Sequence, residues 1–157
     1  MNRKVEIVYD PDIVLKRLDE TGYRLPNKPS DEEEPFIPDN MDLMPPQQLR
    51  EIHAKFAAWL SYLNGYMANS IAIVSMLKET RTAVEAALLG ELPRGKNDRL
   101  KEIQSAITLD PRYVTINKRL VEEEAFLSAL KSRISRLEMD LQAISRQITI
   151  ALGYTDG

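Results

Sequence analysis

Residues 116–151 read INKRLVEEEAFLSALKSRISRLEMDLQAISRQITIA, and this stretch decides the fold. From its first residue to its last, apolar side chains recur at alternating steps of four and three residues, with Glu123 as the one charged member of the series. A spacing of 3.5 residues sustained over about five heptads predicts a long α-helix with a supercoiled, coiled-coil-like seam. The seam positions are Ile116, Leu120, Glu123, Leu127, Leu130, Ile134, Leu137, Leu141, Ile144, Ile148 and Ala151.

The residues that flank this stretch predict where the helix begins and ends. Asp110 precedes Pro111, and Asp followed by Pro is typical of an N-cap and the first helical position. No proline follows, and Gly153 after Leu152 indicates a C-terminus. About forty residues at 1.5 Å each predict a helix of roughly 60 Å.

A second stretch free of proline, residues 47–92, predicts another long helix that ends near Gly90 and Pro93. Its apolar stripe is wider than one seam, which is typical of a helix packed on more than one neighbour. The stripe contains Leu49, Ile52, Phe56, Trp59, Leu63, Tyr66, Ile73, Leu77, Val84 and Ala87, with Ser70 and Thr80 at two further positions and Leu60, Met67, Ile71 and Val74 widening it.

Between the two long helices, residues 97–100 are expected to open a short helix with Leu100, Ile103 and Ile107 on one face. The connection at residues 93–96 is short, so the long helices should fold back on each other. The predicted fold class is therefore all-α: a long antiparallel helical hairpin with a short intervening helix. Because the first stripe is too wide for one partner, we also expect self-association, with closed cyclic symmetry as the default.

The first third of the chain differs in composition from the rest, since seven of the nine prolines lie at or before Pro46. We expect residues 1–22 to form an N-terminal arm with a short strand or extended segment at residues 5–9 and a brief helix. Residues 23–46 are interpreted as an acidic, Pro-rich extended linker, and residues 47–157 as a helical oligomerisation and binding domain.

The charge is divided in the same way. The whole chain carries a net charge of −3, but residues 1–46 hold 6 basic and 11 acidic side chains, and residues 93–157 hold 11 and 9. The helical part is thus neutral to basic, and the acidity belongs to a separable N-terminal region.

The composition argues against catalysis. With no Cys and a single His in 157 residues, the chain lacks the means for Cys-nucleophile chemistry, thiolate zinc sites and His-rich metal centres. We interpret His53, within the first helix, as an ordinary surface or half-buried helical residue. We expect no catalytic residues, no metal, no cofactor and no enzymatic activity. Without a long apolar run or a signal peptide, we expect no membrane partner and a cytoplasmic location.

Several basic residues cluster near the predicted turn, and others recur along the two long helices. Binding of a nucleic-acid backbone requires basic side chains arranged along one path. Three tyrosines, at positions 62, 66 and 113, could serve as stacking platforms for bases, although a place in the core or an interface is the simpler interpretation. Ordinary solvated helix charge is likewise the simpler interpretation of each basic residue. The candidate DNA-binding residues are Lys78, Arg81, Arg94, Lys96, Arg99, Lys101, Lys131, Arg133 and Arg136.

The acidic linker has two interpretations. It is either a solubilising tether, or Asp31–Glu34 with the following Pro35-Phe36-Ile37-Pro38 is a docking motif or a phosphate mimic. In the second case it could lie over the basic residues and limit non-specific binding of nucleic acid. Deletion of residues 1–45 would then raise the affinity for single-stranded DNA.

Over residues 47–153 the order of features resembles the UvsY-type recombination mediators of tailed phages. The matching segments are Phe56-Ala57-Ala58-Trp59-Leu60-Ser61, the basic turn and short helix, Asp110-Pro111-Arg112-Tyr113-Val114, Leu130-Lys131-Ser132-Arg133, Ile144 and Gly153. The resemblance implies an all-helical protein that assembles into a ring, binds single-stranded DNA and helps to load a RecA-like recombinase. It also implies that Lys131 and Arg133 face the DNA. The acidic net charge and the N-terminal arm are departures from that pattern.

The leading expectation is thus a non-enzymatic recombination or replication accessory protein that binds single-stranded DNA. Its expected partners are further copies of itself and a RecA-like recombinase or single-strand-binding protein, in the host cytoplasm if a phage encodes it. One alternative is a coiled-coil structural or adaptor protein that binds no nucleic acid. Another is an inhibitor that uses its acidic arm against a basic partner.

Overall fold

The computed structural model describes residues 16, 19–22, 26–29, 33–91 and 100–153. Over these residues the protein is all-α, as predicted, and contains no strand. The elements are a short 3-10 helix, Met41–Leu43, followed by α1, Pro46–Glu91, α2, Leu100–Leu109, and α3, Pro111–Gly153. The predicted strand at residues 5–9 lies outside the described residues.

The chain divides into two compact units, which we describe separately. Unit 1 comprises Met1–Gly22 and Asn69–Leu127, and unit 2 comprises Tyr23–Ala68 and Ser128–Gly157. Each unit contains part of α1 and part of α3. The predicted division of the chain into an arm, a linker and a helical domain stays a prediction.

In unit 1 the helices α1 and α3 run antiparallel, which is visible from the order of their polar contacts. Going along α1, Lys78 contacts Glu124, Arg81 contacts Asn117 and Glu91 contacts Arg112, so α3 is traversed backwards. Helix α2 adds its apolar face to the core between them. The cluster consists of buried Val84, Leu88 and Ile107 with partly buried Ile103, Tyr113 and Ile116.

In unit 2 the apolar core includes the buried aromatic side chains Phe56 and Trp59. It joins the first half of α1 to the second half of α3, and residues that precede α1 pack against it. Its buried members are Phe56, Trp59, Leu63, Leu130, Ile134, Leu137 and Ile144, and Ile37, Met41, Ile52, Leu60, Tyr62, Met67, Leu141 and Ile148 pack on them.

The start of α3 confirms the predicted N-cap. The backbone N–H of Arg112 donates to Oδ1 of Asp110 at 2.8 Å, and the N–H of Val114 donates to the carbonyl of Asp110 at 2.9 Å. Pro111 occupies the first helical position, where its missing N–H costs nothing. The helix extends to Gly153, the last residue that the structure describes, and its predicted C-terminus stays a prediction.

The predicted seam of α3 is confirmed, because each of its positions from Ile116 to Ala151 is buried or half-buried. On α1 the prediction was partly wrong: Tyr66 is 43% and Ile71 is 46% exposed, whereas Leu88, outside the predicted stripe, is buried. Five residues apart on a helix, Tyr66 and Ile71 point about 140° away from each other, so they lie at opposite edges of a stripe whose buried part is narrower than predicted. On α2, Leu100 is 87% exposed and takes no part in the core. Supercoiling of the seam stays a prediction.

Candidate nucleic-acid interface

The nine candidate DNA-binding residues fall into three groups. Arg94, Lys96 and Arg99 lie outside the described residues. In unit 1, Lys78 and Arg81 lie on α1, and Lys101 lies exposed on α2. In unit 2, the exposed residues on α3 are Lys131, Arg133 and Arg136.

The two candidates on α1 are engaged with groups within unit 1. Nζ of Lys78 lies 2.8 Å from Oε1 of Glu124 on α3. Nη1 of Arg81 donates to Oδ1 of Asn117 at 3.3 Å, and its Nε lies 3.9 Å from Oε1 of Glu85. Because both cations already contact oxygen acceptors within unit 1, they are less available to bind an anionic ligand than cations without such contacts would be.

On α3 the helix geometry separates residues that the sequence places side by side. Lys131 and Arg133 are two residues apart, a rotation of about 200° around the axis, so they point to different sides of the helix. Arg133 and Arg136 are three residues apart and are neighbours on one side. We call these two residues the arginine pair. It is the closest grouping of candidate residues that the described part of α3 provides.

The arginine pair faces the segment that precedes α1, residues 33–44, which we call the strap. Nη2 of Arg133 donates to Oε2 of Glu34, although the two residues are 99 positions apart in the chain. The Glu34 side chain is 28% exposed, whereas its neighbour Glu33 is classed as exposed. The strap is held in place because Ile37 and Met41 pack on the core of unit 2.

A shallow cavity of about 350 Å³ lies beside this contact. The cavity is lined by residues of the strap, by the second arginine of the pair and by an aspartate one helical turn further along α3. The lining residues are Glu34, Pro35, Phe36, Ile37, Arg136 and Asp140. The arginine pair is therefore bordered by two carboxylates.

Aromatic side chains form a ladder along α1 in unit 2. The ring centroids of Trp59 and Tyr62 are 6.0 Å apart, and those of Tyr62 and Tyr66 are 5.0 Å apart, both edge to face. Nζ of Lys28 lies 5.9 Å from the centre of the Trp59 ring. A side-chain hydrogen bond with Tyr66 and burial raise the pKa of Tyr62 above its usual value. Only Tyr66 of the three rings is classed as exposed, so the ladder offers little stacking surface for bases.

In unit 1, Arg112 organises a charged cluster that the sequence prediction did not include. Its guanidinium donates to both carboxylate oxygens of Glu91, at 3.1 and 2.7 Å, and to Asp110. The guanidinium holds the pKa of Glu91 and of Asp110 below their usual values, and these carboxylates raise the pKa of Arg112. The sequence contained a signal for this cluster: an acidic N-cap residue two positions before an arginine, as Asp110 is before Arg112, can form a local ion pair with it. These contacts connect the junction between α2 and α3 to the last residue of α1.

His53 and Tyr113 are the other residues that the sequence offered as candidates for chemistry. His53 is half-buried on α1, and the described residues contain no group of three or more His, Cys, Asp or Glu arranged to hold a metal ion. Tyr113, considered as a stacking platform, packs on the core of unit 1. Within the described ranges, no helix has the length and apolar character needed to cross a membrane.

Comparisons with protein-family models, with curated proteins and with solved structures find no match for this chain.

Proposed function

We propose that this protein is a non-enzymatic accessory protein of recombination or replication that binds single-stranded DNA and assists a RecA-like recombinase, in the manner of the UvsY-type mediators. The observation that carries the proposal is the arginine pair, with Arg133 and Arg136 adjacent and exposed on α3. A cytoplasmic location, the host cytoplasm if a phage encodes the protein, belongs to the same proposal.

The chemistry of the arginine pair suits a phosphate backbone. A guanidinium presents N–H donors in a planar fork that matches two oxygens of a carboxylate or a phosphate. Arg133 already binds an anionic oxygen, that of Glu34, so its side chain is oriented to bind such a group. Two neighbouring guanidinium groups can bind consecutive phosphates and give affinity that does not depend on base sequence.

We also propose that several copies of the chain associate, which would repeat the arginine pair around an assembly. The support comes from α1, where residues 56–77 contain no charged side chain. Tyr66, in the part of that stretch that belongs to unit 2, is 43% exposed. Exposed apolar area without charge around it is costly in water and is typical of an interface. A second copy of α1 would present the same uncharged stretch and is the partner that we propose.

The test compares two double variants of equal charge on the same helix. Arg133→Gln with Arg136→Gln removes the arginine pair, whereas Lys118→Gln with Arg146→Gln removes two exposed cations of α3 that are not among the candidate residues. Affinity for a fluorescent oligothymidylate is measured over a series of salt concentrations. We expect the arginine-pair variant to reduce the dependence of log K on log salt by about 0.7 for each lost phosphate contact. The control variant should have less effect.

Equal losses in the two variants would mean that the arginine pair is not the binding site. No binding by the wild-type protein at low salt, with a folded oligomer seen by light scattering, would favour the second candidate function. That candidate is a coiled-coil structural or adaptor protein without a nucleic-acid ligand. The ion pairs of Lys78 and Arg81 favour it, because they occupy cations that a DNA-binding surface would leave accessible.

A further inference from the structure

We infer that the strap is an intramolecular competitor of single-stranded DNA, in which the Glu34 carboxylate occupies the position on Arg133 that a phosphate would take. This inference rests on the proposed function and adds a mode of regulation to it. In the closed form Arg133 is neutralised by the chain itself, and a DNA strand must displace Glu34 before it can use the arginine pair.

The contact between Glu34 and Arg133 has the chemistry of a ligand mimic. A carboxylate and a phosphodiester both present anionic oxygens to the same donors of a guanidinium, and one guanidinium edge cannot serve both. The second arginine, Arg136, lines the cavity that adjoins Glu34. Residues 33–36 of the strap therefore lie against the surface on which a strand would have to lie.

The strap is positioned by features that do not depend on the ion pair. Ile37 and Met41 pack on the core of unit 2, and the 3-10 helix Met41–Leu43 follows directly. Pro35 and Pro38 restrict the backbone on either side of Ile37. Anchored three residues away, Glu34 is presented to Arg133 at a high effective concentration.

The pattern of exposure along the strap agrees with a carboxylate directed at α3. Glu34 is 28% exposed, whereas Phe36, two residues on, is 80% exposed. A side chain this exposed buries little apolar area, so Phe36 is not what holds the strap down. The Arg133 side chain is itself 50% exposed. An ion pair this accessible to water is weak and sensitive to salt, so a polyanion can displace it.

The experiment uses the full chain and a neighbouring residue as control. Glu34→Gln removes the contact while keeping the shape of the side chain, and Glu33→Gln makes the same change of charge at the adjacent exposed position. Binding of a fluorescent oligothymidylate is measured at several salt concentrations, and circular dichroism checks that the helical content is unchanged. The variants Arg133→Gln and Glu34→Gln with Arg133→Gln complete a double-mutant cycle.

We expect Glu34→Gln to tighten binding about three- to fivefold at low salt, as expected for release of an exposed ion pair. The dependence of log K on log salt should steepen by about 0.7, because one more cation becomes available to phosphate. Glu33→Gln should change the affinity and the salt dependence by only a small fraction of these amounts. In the Arg133→Gln background, Glu34→Gln should give no gain.

Two outcomes would overturn the inference, and they are distinguishable. If Glu34→Gln and Glu33→Gln raise affinity equally, or if the gain persists without Arg133, the effect is one of general charge; the strap is then a structural clip, and the proposed function stands. If none of the variants binds the oligonucleotide at low salt while all remain folded, the proposed function fails and the inference fails with it.

Discussion

The two units of this protein join the same two helices by different means. In unit 1 aliphatic side chains such as Leu88 form the buried core, and charged contacts run from one helix to the other, at Lys78 with Glu124 and at Arg112 with Glu91. In unit 2 the buried core includes Phe56 and Trp59, and the ion pair of Arg133 connects α3 to the strap. Charged contacts specify register, whereas burial of apolar area provides most of the free energy.

The largest difference between the units should appear when one leucine of each core is truncated. Leu137→Ala in unit 2 should reduce the free energy of unfolding by about 4 kcal/mol, and Leu88→Ala in unit 1 by about 2–3 kcal/mol. Both side chains are buried, but Leu137 is 1% exposed and Leu88 5%, so truncation of Leu137 leaves the more enclosed cavity. Urea unfolding followed by circular dichroism measures both values. A larger loss for Leu88→Ala would reverse our comparison of the units.

A smaller effect, confined to unit 1, should follow from Arg112→Gln. The guanidinium lowers the pKa of Glu91 and of Asp110 in the folded protein, so their contribution to stability is complete above the ordinary carboxyl pKa and is lost as the pH falls below it. The melting temperature of the variant should therefore lie below that of the wild type at neutral pH. The gap should begin to narrow near pH 4, the ordinary carboxyl pKa, and close as the pH falls further through the lowered pKa values of the folded protein.

The control for this prediction is Arg146→Gln, which removes an exposed arginine from unit 2. It should leave both the melting temperature and its dependence on pH close to those of the wild type, because exposed charges remote from a partner contribute little. A gap between Arg112→Gln and the wild type that stayed constant from neutral to acidic pH would exclude the two carboxylates as its cause.

The smallest effect should be seen in the aromatic ladder of unit 2. Because a hydrogen bond with Tyr66 and burial raise the pKa of Tyr62, one of the six tyrosines should ionise later than the others in an ultraviolet titration. Tyr66→Phe should move this late step to lower pH, with little change in stability at neutral pH. A late step at an unchanged pH in the variant would assign it to another tyrosine.

Much of the fold follows from local patterns in the sequence. The 4-3 spacing from Ile116 to Ala151 predicted the buried face of α3, and Asp110 with Pro111 predicted its start. These predictions succeed because helix periodicity and capping depend on residues a few positions apart. On α1 the same reasoning misplaced Tyr66 and Ile71, which are exposed at the edges of the predicted stripe, because residue spacing does not determine how much of a wide apolar face its neighbours cover.

The candidate site was less accessible to prediction. The resemblance implied that Lys131 and Arg133 both face the DNA, but a rotation of about 200° separates them on the helix. The i,i+3 spacing of Arg133 and Arg136, which the sequence already shows, makes these two residues neighbours. The sequence also contained an acidic run before α1, and the interpretation that it could lie over basic residues did not identify which residues would meet. The contact of Glu34 with Arg133 spans 99 positions and became visible in the structure.

By itself, the sequence determined where the helices form, which parts of the chain are acidic or basic, and which face of α3 is buried. Each of these properties depends on the identity and spacing of nearby residues. The tertiary structure decided which charges meet. Lys78, Arg81 and Arg133 are similar cations in the sequence, yet Glu124, Asn117 and Glu34 reach them only through the packing of α1, α3 and the strap. The strength of a charged contact depends on distance and on exposure to water, and both are set by packing between residues far apart in the chain.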